Sequence, residues 1–305
     1  MEFSRQWQRH NGLVLDRVND FDVIECVPCG YKHVVPIPTQ EELERVYRED
    51  YYSNEKPLYL DEHKEDLEWW NLVYDERYDF LESQLPMGSR RIIDIGSGPG
   101  YFLLRGKSRG WETVGIEPSR QAAAHARTLG LDIEEGFVHE AMTKSLGAFD
   151  VVYLHEVLEH IPDPAALLGI AMQLLNPGGI LCVIVPNDYN PLQKAVRKTM
   201  KYDPWWLAPP HHINYFDHAS LSRFLEKQGF HVVFRNSTFP IELFLLMGMN
   251  YIGDPAVGRM VHGQRKNMEL NLAKAGCAEL KQRAYQACAR EGIGREAVIY
   301  ARRLA

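Results

Sequence analysis

The stretch Arg91-Ile-Ile-Asp94-Ile-Gly96-Ser-Gly98-Pro-Gly100 ends a short apolar run with a glycine-rich loop, and helical sequence begins directly after it. Glycines permit a sharp turn and let the backbone approach a ligand closely. The helix that follows offers unpaired N–H groups to a polar or anionic ligand. The loop therefore predicts that a nucleotide-like ligand binds where a strand turns into a helix.

Strand-like and helix-like sequences alternate outward from this loop. Helical sequence is expected at about 101–109, 120–129 and 165–175. The runs that read as strands lie at 91–95, 113–117, 131–135, 149–155, 180–185, 230–236 and 296–301. Such alternation is typical of an α/β protein, and strands covered on both faces are almost wholly apolar. We predict a doubly wound, mostly parallel, Rossmann-like sheet of seven strands.

Three segments lie outside this alternation. We expect residues 1–86 to form an N-terminal helical cap, with helices at 40–50 and 61–84, ahead of a domain spanning 87–305. Segments 187–217 and 238–293 read as insertions into that domain, and we expect them to form the acceptor side. The apolar sequence Pro240–Tyr251 fits a lid, a dimer interface or a packed core, and its spacing favours a core.

Composition excludes several classes of function. The 305 residues carry a formal net charge of −7, whereas a broad grip on nucleic acid or anionic membranes rests on clustered Lys and Arg. The longest strongly apolar run, Ile241–Met249, is far shorter than the ~20 residues of a membrane span. Five scattered cysteines are typical of a reduced, intracellular protein. We expect a cytoplasmic protein that binds no nucleic acid, and homodimerisation is left open.

The acidic residue Glu117 and the glycine spacing narrow the ligand. Glu117 lies 21 positions after Gly96, where a carboxylate is placed to accept from both hydroxyls of a ribose. A dinucleotide loop has its third glycine at the position that Tyr101 occupies here. A pyrophosphate is therefore disfavoured, which argues against an NAD-dependent oxidoreductase, and a smaller nucleoside ligand is favoured.

Nearly half of the chain, from Arg91 to about Gly229, resembles class I methyltransferases that use S-adenosylmethionine (SAM). The motifs follow in order as D-I-G-S-G-P-G-Y-F, G-I-E-P-S, F-D-V-V, H-E-V-L-E-H-I-P-D-P, L-N-P-G-G and I-V-P-N. The resemblance is to methyltransferases of bacterial polysaccharide and secondary-metabolite pathways and, more distantly, to quinone O-methyltransferases. It implies that SAM is held by Asp94, Gly96, Ser97, Gly98, Gly100, Glu117, Pro118, Phe137 and His155, with Phe137 near the adenine or, equally, in the core.

The segment 202–216 is the expected acceptor pocket, because it combines aromatic walls with polar side chains. Trp205, Trp206 and Tyr215 are its candidate substrate-binding residues. A histidine titrates in the range needed to take a hydroxyl proton near neutral pH. The candidates for the catalytic base are His155, His211 and His212, although either of the adjacent pair can instead bond the backbone or face solvent. Glu159 and His160 are expected to form a helix-entry element.

The N-terminal segment carries a single metal-knuckle pattern, Cys26-Val-Pro-Cys29-Gly30. It resembles the second half of a zinc knuckle that precedes some sugar-modifying methyltransferases. A structural zinc site needs four ligands, and no second CxxC exists for the first half. His10 and His33 complete a site only with unusual geometry, so we expect no bound metal. Tyr52, in the following tyrosine cluster, is expected either to cap SAM or to cover a helix junction.

The sequence therefore predicts a SAM-dependent methyltransferase that acts on a hydroxyl of a small acceptor. A sugar, a nucleotide-linked sugar or a glycan end is the preferred acceptor class. The alternatives are an O-methyltransferase of a quinone or secondary metabolite, and a non-catalytic SAM-binding module. A nucleic-acid methyltransferase is disfavoured, since His155-Glu-Val-Leu stands where an Asn/Asp-Pro-Pro-Tyr/Phe motif would be needed.

Overall fold

The computed structural model describes residues 9–45 and 63–304. The chain divides into two compact units. The loop unit contains the described residues of 39–183, 228–231 and 300–304, and the insertion unit contains those of 9–38, 184–227 and 232–299. Within the described ranges, none of the helices is both long and apolar enough to cross a membrane.

The strands are β1 (Gly12–Val18), β2 (Phe21–Cys26), β3 (Lys32–Val35), β4 (Arg91–Ile95), β5 (Glu112–Glu117), β6 (Asp132–Glu135), β7 (Phe149–His155), β8 (Leu175–Pro186), β9 (Asn214–Tyr215), β10 (Phe230–Ser237) and β11 (Glu296–Arg303). The α-helices are α1 (Gln40–Arg45), α2 (Leu67–Gln84), α3 (Tyr101–Ser108), α4 (Arg120–Thr128), α5 (Thr143–Leu146), α6 (Pro164–Leu174), α7 (Pro191–Met200), α8 (His218–Lys227), α9 (Glu242–Leu246), α10 (Pro255–Lys274) and α11 (Ala278–Arg290).

Seven strands form one sheet in the order β10-β11-β8-β7-β4-β5-β6, which confirms the predicted fold. Strand β4 runs parallel to β5 on one side and to β7 on the other. Its Ile92 and Ile93 are fully buried, as are Val151 and Val152 of β7. Side chains on both faces of these strands are therefore covered, which explains their continuous apolar sequence.

Polar side chains cap the helices that follow the strands. Ser119 Oγ accepts from the Ala122 amide at 3.4 Å where α4 begins, and Asp163 Oδ1 accepts from the Ala166 amide at 3.0 Å where α6 begins. Both acceptors satisfy amides that lack a partner within the helix. The predicted helices at 101–109, 120–129 and 165–175 are confirmed to within a residue or two at either end.

The N-terminal region is not purely helical, and the prediction of a helical cap is wrong for residues 12–35. These residues form β1, β2 and β3, which lie with β9 in an antiparallel sheet of order β1-β2-β3-β9. The three strands are short and pair with one another across tight turns, so each is stabilised by its neighbour and has only a weak strand pattern of its own. The helical prediction holds for α1 and α2.

The second predicted insertion, 238–293, contains α9, α10 and α11. Ile241, Phe244 and Val261 form a small buried cluster there, so the apolar stripe builds a core. Glu269 of α10 accepts from Arg265 at 3.1 Å and from the Tyr285 hydroxyl at 2.7 Å. This buried polar contact joins α10 to α11 within the insertion unit.

Candidate functional site

The glycine loop folds back onto β5. Gly96 has φ +81° and donates its amide to the Ile116 carbonyl at 2.8 Å. A Cβ at this position would lie 2.6 Å from Val157 Cγ2, and one at Gly100 (φ +83°) would lie 2.5 Å from Leu131 Cδ1. Both positions therefore require glycine for backbone conformation and for space. The loop amides donate to Ile116, Ser97 and Glu117, and these bonds hold the loop between β4 and α3.

Glu117 closes the loop from the end of β5. One carboxylate oxygen accepts from the Gly98 amide at 2.7 Å and the other from the Ser119 amide at 2.8 Å. The side chain is buried, and its desolvation raises the pKa of Glu117 to about 7 against the opposing effect of the two amides. Each oxygen retains a second lone pair. The carboxylate is thus placed to accept from a ribose diol.

Asp94 and Ser97 each place at the loop a polar side-chain atom that could bind a ligand. Among the residues that the structure describes, Asp94 Oδ1 and Ser97 Oγ are buried and have no hydrogen-bond partner. Burial, followed by the nearby Glu117 charge, holds the pKa of Asp94 well above its usual range, while Arg77 opposes the shift. A cationic ligand would offset the cost of these buried carboxylates. SAM carries a sulfonium and an ammonium and therefore fits this site.

Two residues behind the loop were missed in the sequence. Arg77 of α2 is buried and donates to the Tyr153 hydroxyl. The Tyr153 ring stacks on Phe102 with centroids 3.9 Å apart. An Arg on a helix ordinarily faces solvent, and only the tertiary fold brings this one to the carboxylates. Its positive charge partly balances Asp94.

An aromatic cluster lies beside the loop. The His63 ring is stacked between Trp70 and Tyr101, with centroid distances of 4.9 and 4.5 Å. The Tyr74 hydroxyl lies 3.2 Å from His63 Nε2. Burial lowers the pKa of His63 to about 4, so the ring is neutral at physiological pH. Aromatic faces attract cations, and this cluster is a candidate cap for a sulfonium. The predicted cap residue, Tyr52, lies outside the described residues.

His155 ends β7 beside the same cluster. Its ring centroid lies 6.4 Å from that of Trp70 in an edge-on arrangement. Strand β7 pairs with β4 so that Leu154 stands opposite Ile95, directly before the glycine loop. Glu159 is buried within the single 3-10 turn Leu158–His160, as expected of a helix-entry element. The structure thus brings His155 to the carboxyl end of β4, where open α/β sheets bind ligands.

Phe137 and Pro118 flank Glu117. Both are half-buried, and the Gly136 amide donates to the Glu117 carbonyl at 2.9 Å, which places Phe137 one residue from this bond. A partly exposed aromatic ring beyond the Glu117 carboxylate suits an adenine wall. The alternative of a core position for Phe137 is not favoured by its partial exposure.

The aromatic residues of the first insertion form a separate platform in the insertion unit. The Trp206 ring meets Trp205 at 4.9 Å and Tyr189 at 5.3 Å, both in edge-on contacts. Asp16 of β1 fixes this platform, because it accepts from the Tyr189 hydroxyl at 2.9 Å and from Arg197 at 2.7 Å. Within the described ranges Trp206 Nε1 is buried and has no partner. It is therefore a candidate donor to a ligand.

Tyr215 contacts the same segment through its hydroxyl group. Its side chain is fully buried, and its hydroxyl donates to the His212 carbonyl at 2.9 Å and accepts from the Ala208 amide at 3.4 Å. The hydroxyl is thus used to close the loop that carries His211 and His212. Both histidines are half-buried. The predicted substrate contact of Tyr215 stays a prediction, and its hydroxyl is already bonded within this loop.

Asp188 is a further candidate that the sequence did not single out. It follows β8 by two residues, is buried, and accepts from Gln193 Nε2 at 3.5 Å. Burial raises the pKa of Asp188 to about 7, with a contribution from Glu242. A carboxyl group with this pKa exchanges protons near neutral pH. The acidic residue was visible in the sequence, but its burial was not.

Comparison with known proteins agrees with this geometry. Residues 62–234, more than half of the chain, match a family described as a methyltransferase domain. The chain is 34% identical over 109 residues to a ubiquinone biosynthesis O-methyltransferase from Ralstonia nicotianae, and 33% identical over 117 residues to one from Psychrobacter cryohalolentis. These matches cover 34% and 36% of this chain and 46% and 45% of the relatives. The chain thus spans about half the length of the curated relatives it matches.

Solved structures share the fold. Magnesium protoporphyrin IX methyltransferase from Synechocystis PCC 6803, with bound SAH, superposes with a TM-score of 0.52 at 12% identity, over 87% of this chain and 100% of that one. The plantazolicin methyltransferase, in complex with a triazolic desmethylPZN analog and SAH, gives a TM-score of 0.52 at 14% identity, over 87% of this chain and 97% of that one. At these identities the likeness concerns the fold alone.

Proposed function

This chain belongs to the class I SAM-dependent methyltransferase family, and we propose that it methylates a hydroxyl oxygen of a small acceptor. SAM as the methyl donor is supported by one observation. The buried carboxylates of Asp94 and Glu117 lie around a glycine loop that retains unpartnered polar atoms. The proposed acceptor is argued from the side chains of the insertion unit and is tested by the experiment below.

The donor residues have separate tasks. When bound, SAM supplies a methyl group on a sulfonium, an activated donor that leaves as a neutral thioether. Asp94 and the 96–100 loop, through the unpartnered Ser97 Oγ, would hold the methionine part, and Glu117 would accept from the ribose hydroxyls. The His63–Trp70–Tyr101 stack would exclude water on the sulfonium side. A protein contributes to this substitution mainly by aligning the methyl donor with the acceptor and by excluding water from the site.

The acceptor oxygen must lose its proton as the O–CH3 bond forms and the S–CH3 bond breaks. A base in hydrogen-bond reach takes that proton. His155, His211 and His212 remain our candidates, and the structure adds Asp188, whose pKa of about 7 suits the same task. The platform of Trp205 and Trp206 would hold an apolar acceptor face, while Trp206 Nε1 donates to an acceptor oxygen.

A nucleotide-linked sugar is our preferred acceptor, because the insertion unit also carries a basic groove. Its volume is about 660 Å³, and its lining includes Lys194, Arg223, Arg235 and Arg290 against the two acidic residues Asp217 and Glu226. Arginine forks match phosphate oxygens. A phenolic or quinol hydroxyl is the second candidate, since the curated relatives are named as ubiquinone biosynthesis O-methyltransferases.

The test is an acceptor panel read out by release of S-adenosylhomocysteine. Nucleotide sugars, the matching free sugars and catechol-type phenols are assayed with the wild-type chain and with Arg223→Ala. We expect turnover on a nucleotide sugar, with Arg223→Ala raising its KM about tenfold for one lost charge-assisted contact of ~1.4 kcal/mol. Lys198→Ala, an exposed change on α7 outside the groove lining, is the matched control. Turnover on phenols alone would overturn the sugar assignment in favour of the second candidate.

A further inference from the structure

Four metal-binding side chains converge in the N-terminal sheet. His10 precedes β1, Cys26 ends β2, Cys29 lies in the following turn, and His33 lies in β3. One ligand atom from each lies within 4.8 Å of the other three. The sequence has a single CxxC pattern, at Cys26–Cys29, and lacks the second one that would complete a zinc site. The antiparallel pairing of β1, β2 and β3 brings two histidines to the place where that second pair of ligands would be.

The distances match a coordination tetrahedron. His10 Nδ1 lies 3.1 Å from His33 Nε2, 3.4 Å from Cys29 Sγ and 3.7 Å from Cys26 Sγ. With Zn–S near 2.3 Å and Zn–N near 2.05 Å, a tetrahedral zinc site has N–N edges of about 3.3 Å and N–S edges of about 3.6 Å. All three measured edges agree with these values to about 0.2 Å, well within the variation of such sites.

The histidine tautomer is also the one that a metal requires. His33 Nδ1 lies 2.9 Å from the Val34 carbonyl oxygen, which only accepts, so this nitrogen carries the proton. Nε2 therefore presents its lone pair to the cluster. Metal-bound histidines characteristically donate their other N–H to a carbonyl or carboxylate, which fixes the ring orientation. The Val34 carbonyl provides that support here.

The backbone around the two cysteines is already folded as a knuckle. The Gly30 amide donates to the Cys26 carbonyl at 2.9 Å, and the Cys26 amide donates to the Tyr31 carbonyl at 3.2 Å. Gly30 has φ +78°, which glycine adopts without strain. The Val27 amide donates to the Asn11 carbonyl at 2.9 Å and so holds the residue after His10 against the knuckle.

We propose that His10 Nδ1, Cys26 Sγ, Cys29 Sγ and His33 Nε2 form a structural site for Zn²⁺. Four protein ligands fill a tetrahedral shell and leave no position for a reacting water, so the site is structural. Binding releases the two thiol protons to solvent, and Zn²⁺ with two thiolates and two neutral imidazoles has no net charge. A neutral complex suits its surroundings, since Cys26 and His33 are each 1% exposed.

The site would fix the edge of the sheet that leads to the first insertion. His33 pairs with Asn214 of β9, which follows the loop that carries His211 and His212. The ring of Tyr31, just before β3, packs with its centroid 4.7 Å from that of Phe216, just after β9. Metal binding would thus stabilise the fold of the insertion unit. This inference does not depend on the proposed acceptor.

The experiment measures metal content and metal geometry in the full chain. The protein is produced with zinc in the medium, and bound zinc is quantified by mass spectrometry and by release to a chromophoric chelator after thiol modification. We expect one zinc per chain in the wild type and its loss in Cys29→Ser and His33→Gln. Cys277→Ser, a partly exposed cysteine outside the cluster, is the control and should keep the metal.

Replacement by Co²⁺ gives a second readout that does not require a variant to fold. A tetrahedral Cys2His2 site should show thiolate-to-cobalt charge transfer and intense d–d bands. Chelation of the wild-type metal should expose two additional reactive thiols and lower Tm. A wild-type chain that binds neither ion, or that carries a Cys26–Cys29 disulfide under reducing purification, would overturn the proposal. So would zinc that Cys29→Ser and Cys277→Ser retain equally.

Discussion

Replacement of Glu117 by alanine tests the donor site most directly. The two carboxylate oxygens of Glu117 already accept from Gly98 and Ser119 and would also accept from the two ribose hydroxyls of SAM. A hydrogen bond to a charged group contributes roughly 1.5–3 kcal/mol. Loss of two such bonds, with partial replacement by water, should weaken SAM binding by about 3 kcal/mol, or roughly 150-fold.

The same variant should change stability much less than affinity. Burial raises the pKa of Glu117 from an ordinary value of 4.5 to about 7, so the charged form is disfavoured by roughly 3–4 kcal/mol when the site holds no ligand. Removal of the side chain relieves this cost. It also leaves the Gly98 and Ser119 amides without acceptors, at about 1–3 kcal/mol each. The two effects oppose each other, and we expect only a small change in the free energy of unfolding.

Isothermal titration with S-adenosylhomocysteine measures the affinity, and thermal unfolding measures the stability. Glu112→Ala is the matched control, because Glu112 begins the same strand and its exposed side chain forms an ion pair with Arg91. Affinity in Glu117→Ala within threefold of the wild type, in a folded protein, would refute the ribose assignment. A large loss of affinity in the control would show that substitutions in β5 weaken SAM binding by disturbing the strand, whichever side chain is removed.

Three further predictions follow from the same contacts. Because the folded-state pKa of Glu117 lies above its unfolded value, its contribution to stability is favourable below about pH 4 and is lost as pH rises to 7. SAM binding should therefore strengthen over this range and release protons, which titration in buffers of different ionisation enthalpy measures. An affinity for SAM that does not depend on pH would contradict this prediction. His155→Ala or His211→Ala should lower kcat at least tenfold and reduce SAM affinity by a smaller factor, and full activity in both variants would remove both histidines as candidate bases. Gly100→Ala should destabilise the protein by about 2–4 kcal/mol through its positive φ and its contact with Leu131, measured by denaturant unfolding against the exposed control Glu112→Ala.

The sequence predicted those parts of the molecule that local patterns encode. The glycine loop and the apolar strands have signatures within a few residues, and their order along the chain defined the sheet. Glu117 was found because its spacing from Gly96 is fixed by one strand–helix–strand unit. Residues whose function depends on distant partners were missed. Arg77 and His63 reach the loop only through the packing of the helix that begins at Leu67 and the residues just before it.

The N-terminal region shows the same limit. The Glu-rich sequence at 40–45 indicated a helix correctly, but β1, β2 and β3 stabilise one another only as a sheet, and no single strand is strongly patterned. The cysteine knuckle was recognised, whereas His10 and His33, 23 positions apart, meet only through strand pairing. Metal-ligand spacing in sequence is therefore an incomplete guide when the ligands come from adjacent strands.

The electrostatics of the loop unit connect SAM binding to folding. Asp94 and Glu117 are both buried and both have raised pKa values, and Arg77 offsets only part of the shift at Asp94. A ligand that brings positive charge and hydroxyl donors removes the cost that burial imposes on both carboxylates. It must then stabilise the folded state by RT ln(1 + [L]/Kd), which is about 2.7 kcal/mol at a hundredfold excess over Kd. Most of that stabilisation should disappear in Glu117→Ala at the same ligand concentration, since the weakened Kd leaves the site largely unsaturated.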